Sequence, residues 1–182
     1  LSPLVGVLAI LLSCGSTFAG DSPGSPSAVT DVPQQQATGP IKIAIFDFEL
    51  EDFSAAGTTT AGPLEAKYLA QGTEEARRKL AESGRYDIVD TAGADLAAAQ
   101  GHGLRNCRGC DAGIAAKLGA EQDMVGVVTK ISMTEYTVTV QVRDARTGAV
   151  LNTYTTSLRI GAGYSWARGV AWLMKNRVLA SR

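Results

Sequence analysis

Apolar residues in this chain fall into blocks whose period alternates between two and about 3.6, after an uncharged apolar run at the amino terminus. Ile41, Ile43 and Ile45 alternate with Lys42, Ala44 and Phe46 ahead of Asp47-Phe48-Glu49-Leu50, a run apolar on nearly both faces that predicts a buried central strand. After a loose Ser/Ala/Gly/Thr segment over residues 54–62, Pro63 opens a predicted helix. Its Leu69, Thr73, Ala76 and Leu80 share one face, with Glu74, Glu75, Arg77, Arg78 and Lys79 largely on the other, and Gly84 stops it. Tyr86-Asp87-Ile88-Val89-Asp90 reads as a second strand, and strand, helix, strand favours a parallel right-handed crossover. Residues 92–100 are alanine-rich and helix-competent, and Asp111 is expected to cap a helix that carries Ile114 and Leu118 and ends at Gly119. Met124 to Ile131 reads as a third, buried strand. In a half-exposed fourth, Tyr136, Val138, Val140 and Val142 alternate with Thr137, Thr139, Gln141 and Arg143. Asp144-Ala145-Arg146-Thr147-Gly148 supplies a hairpin loop to a fifth, more polar strand over residues 150–158, expected near a sheet edge. Ser165 is expected to cap a terminal helix with Trp166, Val170, Leu173 and Val178 as its apolar stripe. The fold class is therefore α/β: a mixed five-stranded sheet, in the order β, α, β, α, α, β, β, β, α, covered by helices.

The amino-terminal run changes the picture from a bare domain to an exported one. Residues 1–19 carry no charge and end in the small-residue stretch Ser13-Cys14-Gly15-Ser16-Thr17-Phe18-Ala19, the pattern of a signal peptide. Its apolar part is shorter than the ~20 residues that span a bilayer. Two processing sites compete. Cutting after Thr17-Phe18-Ala19 discards Cys14, whereas Leu11-Leu12-Ser13-Cys14 resembles a bacterial lipobox with an unusual Leu in its second position and would make Cys14 the lipidated residue. The chain begins at Leu1 without a basic n-region, so its true start is expected upstream or at a non-standard initiator. Residues 20–40, with Pro23, Pro26, Pro33, Pro40 and Gln34-Gln35-Gln36, read as a disordered linker that cannot build a core. Residues 41–182 then have the length of one domain.

Formal charge is −1, with 17 basic and 18 acidic residues intermixed, which leaves no electrostatic footprint for nucleic acid. A membrane contact is expected only through a lipid on Cys14, and no cofactor is implied. Cys107-Arg108-Gly109-Cys110 is the one motif with chemistry, in a loop ahead of a helix start where the dipole stabilises a thiolate. A structural disulfide is the favoured reading; a redox pair is the alternative and metal binding the weakest, since His102 with two cysteines leaves a zinc site one ligand short. His102, between Gly101 and Gly103, reads as an exposed loop residue. Asp47, Glu49, Glu51 and Asp52 cluster after the first strand, where α/β sheets place ligands; an ion or small-ligand site competes there with plain solvated charge. Gly161-Ala162-Gly163-Tyr164-Ser165 lacks the Lys and the spacing of a phosphate loop. Trp166 and Trp172 do not share a helix face, and both are expected to be partly buried.

Several phrases occur here in an order shared with a bacterial envelope superfamily: Ile43-Ala44-Ile45-Phe46-Asp47-Phe48, Ser83-Gly84-Arg85-Tyr86-Asp87-Ile88-Val89-Asp90, Ala116-Lys117-Leu118-Gly119-Ala120 leading into Val125-Gly126-Val127-Val128, and Val142-Arg143-Asp144-Ala145-Arg146-Thr147-Gly148. The chain resembles the curli-secretion-channel (CsgG-like) domain, the amino-terminal domain of TolB and the outer-membrane lipoprotein activators of penicillin-binding proteins. More narrowly, Phe46-Asp47-Phe48-Glu49-Leu50 with the Cys107/Cys110 loop and Tyr164-Ser165-Trp166 is similar to a family of small exported proteobacterial proteins with a domain of unknown function. The resemblance implies a non-enzymatic periplasmic or outer-membrane-anchored accessory protein that binds an unidentified envelope protein. The strand connections are short and no propeller repeats follow, so neither a pore nor a full TolB role is expected. A thiol-disulfide protein using Cys107 and Cys110 is the alternative function, and a ligand-binding module at Asp47, Glu49, Glu51 and Asp52 a third.

Overall fold

The computed structural model describes residues 39–54, 61–159 and 166–181. The expected signal peptide, Cys14, Ser165 and all of the expected linker except Gly39 and Pro40 lie outside the described residues. Strands β1 (Ile41–Ile45), β2 (Glu49–Asp52), β3 (Tyr86–Val89), β4 (Gln122–Lys130), β5 (Glu135–Asp144) and β6 (Val150–Arg159) form one mixed sheet. Helices α1 (Pro63–Glu82), α2 (Cys110–Lys117) and α3 (Trp166–Leu173) pack on it. The order across the sheet is β3-β1-β4-β5-β6, with β1 parallel to β3 and β4, and β4, β5 and β6 forming an antiparallel meander. This is the α/β class the periodicity predicts, with β6 at an edge.

Among the described residues the sheet has six strands where the pattern predicts five. β2 pairs with the second half of β4, beyond β1 on the same side. Ile45 faces Met124 and Glu49 faces Val127, so four steps along this segment meet three along β4. The extra residue, at the Phe46-Asp47-Phe48 turn of phase, reverses the alternation of side chains. Ile43 and Ile45 enter the main core and so do Phe48 and Leu50, whereas Ala44 and Phe46 belong to the smaller cluster on the opposite face. Read as one period, such a segment is a single strand with a charged end. The Phe48 N–H, out of the ladder at this slip, donates to Thr73 Oγ1 at 2.9 Å, and that hydroxyl donates to Leu69 O at 3.0 Å. The Phe48 ring lies over Gly126, in space that a Cβ on that residue would claim.

α1 begins at Pro63 with Glu65 reaching back to accept the Gly62 N–H at 3.0 Å, and ends before Gly84, whose φ of +67° suits glycine. Its buried Leu69, Thr73, Ala76 and Leu80 are the predicted face. α1 and α3 share the main core with Val138, Val140, Val142 and Leu158, and Gly169 lets α3 come close to Leu158. α2 covers the other face through Ile114 and Ala115, against Ala44, Phe46 and Val125. Among the described residues no helix is long and apolar enough to cross a membrane.

Three local expectations are corrected. Residues 92–100 form only a 3-10 turn, Ala97–Ala99, because Asp90 and Asp95 accept the N–H groups of Ala92 (2.9 Å) and Ala97 (3.0 Å) and hold turns instead of a helix. Asp111 does not cap α2. The helix starts at Cys110 after Gly109 (φ +96°), and Asp111 is buried inside the first turn. The two tryptophans part company: Trp166 is buried between Tyr68 and Tyr136, with ring centroids 5.6 and 5.3 Å away, whereas Trp172 is exposed beneath the Arg177 guanidinium at 5.9 Å.

Candidate functional site

The phase change after β1 scatters the acidic quartet. Asp47 stays exposed, 3.1 Å from Arg77 Nη2. Glu49 accepts the Leu104 N–H at 2.6 Å, the Arg105 N–H at 3.3 Å and Arg105 Nη1 at 2.8 Å, tying β2 to the 3-10 turn Leu104–Asn106. Glu51 lies 3.9 Å from Arg105 Nε, on the face it shares with Glu49 by strand alternation. Asp52 turns the other way, to Lys130. Each carboxylate thus lies beside a cation, with Glu49 and Glu51 sharing Arg105. Among the described residues, no group of three or more His, Cys, Asp or Glu side chains is arranged to hold a metal ion. A cleft of about 320 Å³ lined by Phe46, Asp47, Glu49, Leu96, Gly103 and Leu104 opens at the carboxyl end of β1. Gly103 needs its φ of +72° there, and a Cβ would strike the Glu49 carboxylate. His102 is exposed, with Nδ1 3.1 Å from the Gly103 carbonyl.

Sequence reasoning missed the junction at the far end of β2. Lys130 Nζ sits 3.1 Å from Asp52 Oδ2 and 2.9 Å from Glu65 Oε1, so one ammonium joins β2, β4 and the first turn of α1. Hydrogen bonds from Ser54 hold Asp52 below the usual carboxylate range, with Lys130 adding to the effect. The Gly62 N–H, then Lys130, does the same for Glu65, and the two carboxylates keep Lys130 protonated far above neutral pH. The segments joined here also carry Phe53, Leu64, Ile131 and Met133, which are 69%, 60%, 46% and 84% exposed. Phe53 donates its N–H to Lys130 O at 2.9 Å, and the turn holding Met133 is closed by Ile131 and Ser132 N–H groups donating to Glu135 O at 3.0 and 3.2 Å. A signal was present in the sequence for Phe53 and Met133, lone large apolar residues in the polar stretches Glu51-Asp52-Phe53-Ser54 and Ser132-Met133-Thr134-Glu135; Ile131 is expected inside the buried third strand, which instead ends at Lys130.

The cysteine loop forms the second constellation. Cys107 and Cys110 are disulfide-bonded, half-buried, with Cα atoms 5.4 Å apart. Between them Arg108 (φ 58°) and Gly109 (φ 96°) both take left-handed backbone. Asp111 Oδ1 lies 4.0 Å from Cys107 Sγ, and Asp111 Oδ2 accepts from Arg143 Nε at 3.1 Å. Asp123, wholly buried on β4, has no hydrogen-bond donor for either oxygen among the described residues. Burial, followed by the negative charge of Asp111, pushes its carboxyl up to about 8.

The sequence profile of a family described as "Protein of unknown function (DUF2380)" matches residues 41–178. The chain belongs to that family. The match spans the domain from Ile41 and agrees with the expectation of a family whose domain has no assigned function. No curated protein matches. Among solved structures, the C-terminal domain of LpoB from Salmonella enterica is 18% identical, with a TM-score of 0.47 over 69% of this chain and 87% of that one. Lipoprotein GNA1162 from Neisseria meningitidis is 16% identical, with a TM-score of 0.48 over 78% and 99%. The PelC dodecamer from Paraburkholderia phytofirmans is 14% identical, with a TM-score of 0.46 over 74% and 82%. These are distant likenesses.

Proposed function

We propose that this family member is an exported accessory protein that works by binding another envelope protein, docking through Phe53, Leu64, Ile131 and Met133. The observation that carries the reading is their joint exposure on three segments that Lys130 holds together. Contiguous exposed apolar side chains rimmed by polar groups mark protein-interaction sites. The uncharged leader pattern over residues 1–19 and the Cys107–Cys110 disulfide support an oxidising compartment outside the cytoplasm. Lipidation of Cys14 would add a membrane anchor to the same reading.

The test places a photo-crosslinking amino acid at position 53 or 133 in the producing cell, with exposed Lys117 as the control position. Positions 53 and 133 are expected to yield the same discrete protein adduct, and Met133→Asp to remove the adduct formed at 53 while leaving Tm unchanged. No adduct at either position, or the same adducts at 117, would overturn the proposal.

A further inference from the structure

The buried carboxyl pair beneath the disulfide has no role in docking. The cation beside it is Arg143, each of whose nitrogens already donates once: Nε to Asp111, Nη1 to Gly148 O at 3.2 Å and Nη2 to Gln141 Oε1 at 2.6 Å. On β1, the residue opposite Asp123 is Ala44, which carries no charge. Asp111, in the first turn of α2, is the charged neighbour that adds to burial in keeping Asp123 protonated. With both groups ionised, two buried carboxylates would face each other and Asp123 would have no donor. One proton held by the pair resolves this, since a protonated Asp123 donates to Asp111. Asp111 in turn is the group beside Cys107 Sγ. A proton store therefore leads from the interior to one sulfur of a half-buried disulfide, while the other sulfur belongs to the first residue of α2.

We propose that Cys107–Cys110 is a thiol–disulfide exchange site that oxidises a partner dithiol, with the Asp111–Asp123 pair delivering the proton to the departing Cys107 sulfur. This activity goes beyond the docking reading and does not rest on it. One partner thiolate attacks Cys110 Sγ; the Cys107–Cys110 bond breaks, a mixed disulfide forms at Cys110, and Cys107 leaves as a thiolate that takes the stored proton through Asp111. The partner's second thiolate then attacks the partner's own sulfur in the mixed disulfide. The partner disulfide forms and Cys110 leaves as a thiolate, stabilised at the amino end of α2 and by the neighbouring Arg108 until solvent protonates it. Two electrons pass from the dithiol to the cysteine pair. The two thiol protons of the partner go to solvent, and the carboxyl pair regains its proton from there.

The experiment measures the rate at which dithiothreitol reduces the full chain between pH 6 and 9, with thiols trapped by alkylation and counted by mass. Wild type, Asp123→Asn and a short disulfide-bonded Cys-Arg-Gly-Cys peptide are compared. The peptide follows only the ionisation of dithiothreitol. At pH 6.5 wild type is expected to react at least about tenfold faster than Asp123→Asn, below the ~10²–10⁴-fold of a full general-acid effect, and the ratio falls toward one above pH ~8 as the stored proton is lost. If Asp123→Asn does not fold, the ratio of wild type to peptide reads the same dependence. Parallel pH profiles for wild type and Asp123→Asn, or a wild-type rate at or below the peptide's throughout, would overturn the proposal and leave a structural disulfide.

Discussion

Asp123 shows how much one buried side chain can couple a fold to its medium. Its raised value of about 8 means the folded chain keeps a proton that the unfolded chain releases near the ordinary aspartate value of 3.8. The group's contribution is fully present below about pH 4 and is lost as pH rises toward 8, because the folded state binds more protons across that window. The slope is at most about 1.4 kcal/mol per pH unit. Asp123→Asn, which cannot ionise, is expected to remove this slope: thermal melts should show the variant gaining on wild type steadily from pH 4 to 8, whereas parallel melting curves would refute the assignment. No sequence pattern announces this. Asp123 stands between Gln122 and Met124 at the head of an apolar strand, where a solvated position is as consistent with the pattern as a buried one. Its burial follows from β1 and β5 flanking it while α2 lies across that face.

At the scale of elements, the informative feature is the one-residue slip between β1 and β2. It lets one segment feed both faces of the sheet, sending Phe46 under α2 and Phe48 under α1 and α3. The slip is compensated twice, by Thr73 taking the Phe48 N–H and by Gly126 making room for the ring. Gly126→Ala would force a methyl into that ring with β4 fixed behind it. The expected cost is about 1–3 kcal/mol, read as a lower denaturant midpoint, and Phe48→Leu in the same chain should recover part of it. Equal midpoints for wild type and Gly126→Ala would show that the ring moves freely. The long elements were legible in sequence: α1 from its apolar face and the Gly84 stop, β4 from its apolar run, and β5 from alternation and the glycine-ended loop that follows it. The short ones were not. β2 has four residues, and residues 92–100 are governed by side chain–backbone bonds from Asp90 and Asp95 that outcompete a short alanine helix.

For the whole molecule, the domain and its amino-terminal segment pose separate questions. The Thr17-Phe18-Ala19 site predicts a mature chain that starts at Gly20, and intact-mass measurement on protein recovered from the producing cell checks it. A species carrying acyl mass on Cys14 would instead make the protein membrane-held, with the linker setting its reach. By itself the sequence determined the α/β class, the parallel start and antiparallel finish of the sheet, the faces of α1 and α3, and the pairing of Cys107 with Cys110, because these rest on periodicity and short spacing. Only the tertiary structure decided which charges meet. It drew Asp52, Glu65 and Lys130 together from three segments, split the acidic quartet between two faces, left Phe53 and Met133 without a core, and set Asp123 and Asp111 beneath the disulfide. The physical reason is that local pattern specifies the period and direction of each element, whereas side-chain encounters depend on register, and here a single extra residue at Asp47 changes the register for everything that follows in that strand.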